Sequence, residues 1–476
     1  MRYAAIIALP LSLCASLASA EATPEGAEAL TATLQTYLGA TEGVVTVTPE
    51  EDYYDVTLDF APLIAKAPPE VKTTITPIEF SLTDNGDGTW EMEQDQALDF
   101  TLSVPGTADI AVKIASLQST GTFDAALQAF TTSTTTATDM AVTEKVIDPN
   151  TKSETNVAYS LASMKLDSTA EAGADGGVDA SSTYEATGLT ETMTVPEMGM
   201  PITLTAESQS GTSEMTGLRP DAIYKLIAFA VANPDAAAAI AQQDTLKGIV
   251  KDGLPLFAHV AATGALKAVK VDTPMGAVGL SDMTFEIEAN GIVDDGLFRE
   301  AFTLNGLSLP AGLVPEWAAQ LVPTSLSLDF KASRFNLAAP AAILLETLDL
   351  ANPKVNTPEE DQALLAALLP DGVVDLTLAP GTITSPLYTV TYEGAFSAGP
   401  ATPMPVGKAT VTATGLTAVE QALAAGPPEM TGQITPMLKM AEGMAKPGEN
   451  GALVWELEST ATGGFLVNGT NMMGAQ

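Results

Sequence analysis

Alternating apolar and polar residues, with Thr and Val prominent among them, run through most of the chain. Period-two runs at 44–48, 54–60, 78–83, 90–100, 110–117, 158–169, 182–194 and 202–208 predict antiparallel strands, each turning one face to a core. The pattern resumes at 265–272, 283–290, 325–332, 373–378, 387–396, 408–414 and 454–459. Gly, Asn and Asp punctuate it. The stretch Asp84-Asn85-Gly86-Asp87-Gly88 predicts a hairpin turn, because Asn and Gly accept the positive φ that tight turns require. Ala174-Asp175-Gly176-Gly177 predicts a second.

Apolar segments of helical length occur at 26–38, 123–130, 220–231 running on towards 249, 337–348, 358–369, 417–425 and 436–445. Pro220, Pro340, Pro358 and Pro436 stand where a first helical turn tolerates proline. The 222–231 segment, AIYKLIAFAV, has Lys225 as its only charge, so it is expected to be covered on several sides. Together these elements predict a β-dominant α+β fold: long curved antiparallel sheets with apolar helices packed on one face.

A unit of strand, tight turn and apolar helix recurs at 114–127, 213–224, 328–340 and 411–419, and GTWEME at 88–93 is echoed by GALVWELE at 451–458. The spacing is too irregular for a solenoid. Two readings stay open. Either the chain has two related β-rich halves, 21–215 and 216–476, meeting within 212–253, or Ala/Thr-rich segments resemble one another by chance.

Composition narrows the chemistry. The 476 residues include 20 Lys+Arg against 59 Asp+Glu, a net charge of −39, with one His and one Cys. A basic surface for nucleic acid is not available at that balance. One His and one Cys cannot build a zinc, haem or iron–sulfur ligand set, so no metal ligand or cofactor is expected. Apolar residues make up 46% and aromatics 5%, so any core rests on Ala, Val, Leu, Ile and Met.

Residues 1–20, MRYAAIIALPLSLCASLASA, combine Arg2, a short apolar run and the ending Ala18-Ser19-Ala20. That is the pattern of a secretory signal peptide cut before Glu21, and it places the protein in the periplasm. A retained anchor needs roughly 20 apolar residues. A lipoprotein would use Cys14, but Leu13 stands where such signals want a small residue. Cleavage would remove Arg2 and the only cysteine, leaving a charge of −40 and no disulfide. No later segment reads as a membrane span, since 222–241 is interrupted by Lys225, Asn233, Pro234 and Asp235.

Several segments invite a chemical reading. His259 sits in LPLFAHVA without an acidic neighbour, and no G-x-S-x-G elbow exists to pair with it, which makes it a structural residue. Gly407-Lys408-Ala409-Thr410 resembles a phosphate loop, but Ala409 replaces the required Ser/Thr and Thr402 the leading Gly, so it reads as a strand start. The 84–88 turn fails the EF-hand register and no helix precedes it; a weak calcium site stays open beside the turn reading. Nine acids between Leu166 and Leu218 read as a solvated sheet face, with cation binding as the alternative. Paired carboxylates for glycoside hydrolysis could come from the 59 acids, yet three Trp leave few aromatics to grip a sugar.

The stretches TPMGAVGL at 273–280, LNGLSLPAGLVPEW at 304–317 and LVPTSLSL at 321–328 resemble exported bacterial proteins of the uncharacterised domain-of-unknown-function family 2125. GALVWELE at 451–458 and GFLVNG at 464–469 are similar too, so the resemblance covers about residues 265–470. It implies export and a β-rich body, and supplies no activity and no site residues. A curved sheet lined by Leu, Val, Met and Ala and lidded by helices forms an apolar groove. The expected function is therefore an exported, non-enzymatic binding or carrier protein for an apolar ligand such as a lipid. The alternative is a structural or interaction protein of the cell envelope, in which the same residues fill a closed core.

Overall fold

The computed structural model describes residues 21–66, 70–148, 150–174, 176–194, 200–402 and 404–472. The expected signal peptide at 1–20 and Asp175 of the second predicted turn lie outside the described residues. The fold is β-dominant, an open antiparallel sheet with a few helices. Two compact units are present. One takes the described residues up to Val260 together with Leu345–Lys354, and the other takes Ala261–Leu344 with those from Val355 onward.

The first unit opens with helix α1 (Pro24–Leu38), where Thr23 Oγ1 accepts the Gly26 N–H and Pro24 fills the first turn. Strands β1 (Val45–Pro49) and β2 (Tyr54–Leu58) lead to a single helical turn, α2 (Ala61–Ile64). Strands β3 (Lys72–Ile75), β4 (Ile78–Asp84), β5 (Thr89–Val104), β6 (Ala108–Asp124), β7 (Ala129–Ile147), β8 (Glu154–Ala172), β9 (Val178–Thr194) and β10 (Ile202–Leu218) follow. The antiparallel order is β1, β2, β4, β5 and then β6 to β10 in sequence, with β3 against the far end of β5. Strands β5 to β10 have 16 to 19 residues, roughly 50–60 Å each.

One predicted helix is a hairpin instead. Residues 123–130 close β6 and open β7, with Asp124 Oδ1 accepting the N–H groups of Ala126 and Leu127 and Gln128 at φ +53. The carboxylate takes over the turn from the helical ladder. Phe123 and Phe130 then pack edge-on across the strand pair, 5.3 Å between centroids. Strand β7 escaped the pattern because its Thr-rich start, TTSTTTAT, looks the same on both faces.

Pairing fixes which residues share a face. One face of β5 to β10 carries Leu98, Ile114, Met140, Leu161, Leu189 and Ala206 in one cross-strand row, and the opposite face is Thr, Ser and charge. Between Gln96 and Leu98, β6 has one residue more than β5, and β7 to β10 keep step with β6, so one irregularity crosses five strands. Asp139 at φ +49 and Gly188 at φ +69 mark it, and a Cβ on Gly188 would stand 2.8 Å from that of Ala162. The buried apolar residues Ala137, Leu161, Ala186, Leu189 and Ala206 cluster at this line, where bulged strands bend.

After β10, the predicted helical run divides into α3 (Pro220–Ala232), α4 (Ala236–Ala241) and α5 (Gln243–Gly253). Pro234 breaks it, and Asp235 Oδ1 caps α4 by accepting the Ala238 N–H. These helices belong to the first unit, with Tyr224 of α3 packed on Tyr37 of α1 at 6.0 Å and Ala222 against Gly253 of α5. The expectation that 222–231 is covered on several sides is not met. Ala222 and Tyr224 are buried, whereas Ile223 and Ile227 one turn apart remain 38% and 40% exposed.

From residue 259 the chain forms β11 (His259–Thr273), β12 (Gly276–Asn290), β13 (Gly296–Asn305), β14 (Ser325–Phe335), α6 (Ala338–Thr347) and α7 (Pro358–Leu368). Then come β15 (Val374–Thr384), β16 (Thr389–Ala398), β17 (Val406–Thr414), α8 (Leu416–Ala424), α9 (Pro428–Thr431) and α10 (Ile434–Met444). Four short strands end the chain: β18 (Lys446–Pro447), β19 (Leu453–Ser459), β20 (Phe465–Val467) and β21 (Thr470–Asn471). Strands β12 to β17 pair in sequence and β19 joins β17. Met283, Leu304, Leu326, Ile383, Val390, Ala413 and Leu453 form one apolar row across seven strands, and the adjacent row on the other face, from Asp282 to Thr414, is polar. Strand β15 runs six residues past its predicted end at 378. Pro380 sits in a bulge between Leu378 and Gly381, where no ladder donor is missed, and the Tyr392 ring covers Gly381.

Candidate functional site

The apolar face of the first unit changes character along its length. At one end, Ala27, Leu30 and Leu34 of α1 lie on Val45, Val56, Leu58, Leu82, Trp90 and Phe123, forming a closed core in which Leu30 and Phe123 are fully buried. Beyond the irregular row the same face stays partly exposed. Phe100, Val112, Val142, Tyr159, Glu191 and Leu204 make one row there. Leu102, Ile110, Glu144, Val157, Met193 and Ile202 make the next, and Val146 and Met193 are 40% and 37% exposed. A half-buried apolar face spanning six strands leaves apolar area in contact with water, and covering that area is favourable.

Two carboxylates stand on this face. Glu191 pairs directly with Tyr159, and Glu144 faces Val157 two residues along the same strand. No Lys or Arg of β5 to β10 shares that face among the described residues; Lys113, Lys145 and Lys165 are all on the other. Burial and the neighbouring Glu191 carboxylate push the Tyr159 hydroxyl above the usual tyrosine range.

The polar face opposite holds a concavity of about 500 Å³, floored by Ala111 and Ala158 and walled by Thr101, Thr143, Thr192 and Lys145. Glu154 bonds Lys145 at 2.8 Å and holds it protonated, so the hollow offers no free amine nucleophile.

The remaining sequence candidates are spread over the chain. His259 opens β11, half-buried. Residues 407–410 lie inside β17, where a Cβ on Gly407 would meet the Ala395 carbonyl of the next strand at 2.1 Å, so no phosphate can reach that backbone. The 84–88 turn is a hairpin between β4 and β5 with Gly86 and Gly88 at positive φ. Asp84 Oδ1 accepts the Gly86 N–H, and Asp87 accepts both the N–H and hydroxyl of Thr89, which holds its carboxyl below the usual range. Of the nine acids between 166 and 218, Asp167, Glu171, Asp179, Glu185 and Glu214 lie on the polar face, Glu207 stands exposed at the irregular row, and Asp175 and Glu197 lie outside the described residues. Glu191 is the departure from the solvated-face reading. Alternation counted from the turns alone misses it, because the extra residue in β9 shifts which positions face inward.

Among the described residues no three His, Cys, Asp or Glu side chains converge on a metal position, and no helix is long and apolar enough to cross a membrane. The strongest ionic cluster, Arg299 with bonds of 2.8 and 3.0 Å to Asp329 and 2.9 Å to Glu286, spans β12 to β14 as a cross-strand brace. No protein family, no curated protein and no solved structure matches the chain.

Proposed function

We propose that the protein is an exported, non-enzymatic binding or carrier protein that receives an apolar ligand such as a lipid in the periplasm. The observation that carries this reading is the apolar face of β5 to β10, which joins the closed core under α1 at Trp90 and Phe123 and is left half-exposed over six strands at the other end. A face serving only as core would be covered along its whole length, as it is beneath α1. The second unit, with its seven-strand apolar row, supports the further proposals that the two halves are related and that apolar helices cover one sheet face. The signal-like residues 1–20 and the resemblance of 265–470 to the exported family of unknown function support the location. Native mass spectrometry of protein purified from its own envelope is the test. Bound lipid in stoichiometric amount is expected, and a ligand-free spectrum under gentle conditions overturns the reading.

One observation favours the interaction-protein alternative. Met430, Ile434, Met437 and Met440 form a stripe on α9 and α10 that is 48% to 65% exposed, and flexible methionine surfaces suit protein partners. A copurifying protein lost from Met437→Glu material, with no lipid in either, would decide for that reading.

A further inference from the structure

We infer that the ligand of the open apolar face is an amphiphile with a single positively charged head, held between Glu144 and Glu191 beside Tyr159, with its chain lying on the apolar rows. This rests on the apolar-ligand reading and adds the head-group chemistry. Glu144 and Glu191 flank β8 on either side, opposite Val157 and Tyr159, so both carboxylates project into the same part of an otherwise apolar surface. Glu144 is exposed and Glu191 half-buried, so both carboxylates stand at the water-facing margin of the apolar rows, where an arriving head group can reach them. No cation of β5 to β10 shares the face, so neither acid has a partner strand residue of opposite sign there. A cationic head therefore meets no competing cation of these strands there. The Tyr159 ring adds a π face next to Glu191, an arrangement that suits an ammonium group. The net charge of −39 points the same way, because an anionic head would be repelled by the whole molecule as well as by these two groups. The apolar rows continue from this spot to Leu161 and Leu189, where the bulged strands bend and the face becomes buried, so a chain anchored by its head would run inward along β8 and β9.

The experiment compares decyltrimethylammonium, decyl maltoside and decyl sulfate, each below its micelle concentration, by isothermal titration calorimetry on the full chain. The cationic probe is expected to bind several-fold to about tenfold tighter than the neutral one, the range that two partly exposed ion pairs supply. In the double variant Glu144→Gln with Glu191→Gln, the two probes are expected to bind equally, with the neutral probe unchanged. A control pair on the polar face, Glu171→Gln with Glu185→Gln, removes the same charge and is expected to keep the preference. Circular dichroism checks that each variant is folded. Equal binding of all three heads to the parent overturns the head-group inference and leaves the apolar reading standing. Loss of preference in the control pair overturns it as well, because bulk charge then explains the effect. If no probe binds at all, the apolar-ligand reading itself falls.

Discussion

Phe100 on β5 and Phe123 on β6 point to the same side of one sheet, yet Phe123 is fully buried under α1 and Phe100 is half-exposed. Their difference measures where the core ends. Phe123→Ala is expected to cost about 3–5 kcal/mol, the range for an aromatic lost from a closed core. Phe100→Ala is expected to cost less than about half as much, because much of its surface already meets water. Urea unfolding of both variants followed by circular dichroism checks the order. Equal losses would mean that Phe100 is covered in solution.

The irregular row supplies a second expectation. Gly188 has φ +69 and Ala162 beside it, so Gly188→Val adds both left-handed strain and a steric clash and is expected to cost roughly 2–4 kcal/mol. Asp139, at φ +49 on β7, should tolerate glycine within about 1 kcal/mol, whereas Asp139→Val loses about 1–2 kcal/mol. Thermal melts of the three variants separate these outcomes. A harmless Gly188→Val would remove the left-handed residue from the solution structure.

Tyr224 makes stability sensitive to alkali. Burial, reinforced by charge repulsion with the Tyr37 hydroxyl, pushes its hydroxyl up to about 12 from the ordinary 10. The folded state therefore holds this proton more tightly than the unfolded chain does. Its contribution is complete below pH 10 and is lost as the pH rises from 10 towards 12. Urea midpoints at pH 9 and pH 11.5 should differ less in Tyr224→Phe than in the parent. The variant also gives up the 3.4 Å bond to the Gln128 carbonyl, a constant offset at both pH values.

N-terminal sequencing of material recovered from the periplasm is expected to begin at Glu21. A start at Met1, or a lipid on Cys14, contradicts the cleavage pattern of Ala18-Ser19-Ala20.

Much of the strand pattern was legible because Val, Ile and Leu alternate with Thr and Asp, and the caps of α1 and α7 are written in Thr23-Pro24 and in Thr357 with Glu360. What was hidden had specific causes. Strand β13, GLFREAFTLN, sets Arg299 beside Glu300 and breaks the alternation, so its sequence carries no clean strand signal. The Thr-rich start of β7 offers no apolar period at all. The open apolar face is hidden for a different reason: it is assembled from strands whose individual residues are no more apolar than those of any amphipathic sheet. Only pairing across six strands separates the covered part of that face from the rest.

The line of extra residues crossing β6 to β10 also bears on how such a sheet finds its alignment. A slip of one residue between two strands turns apolar side chains to the wrong face and is rejected by burial alone. A slip of two keeps every face correct, and in Thr-rich strands such as β7 and β9 it would lose almost nothing. The shared irregularity removes that degeneracy. Shifting β8 by two against β9 would bring the left-handed Gly188 opposite a regular extended stretch and carry the β8 irregularity out of line with its neighbours. Each hairpin therefore reads its position from the one before it, as a row of notches keeps stacked plates in step.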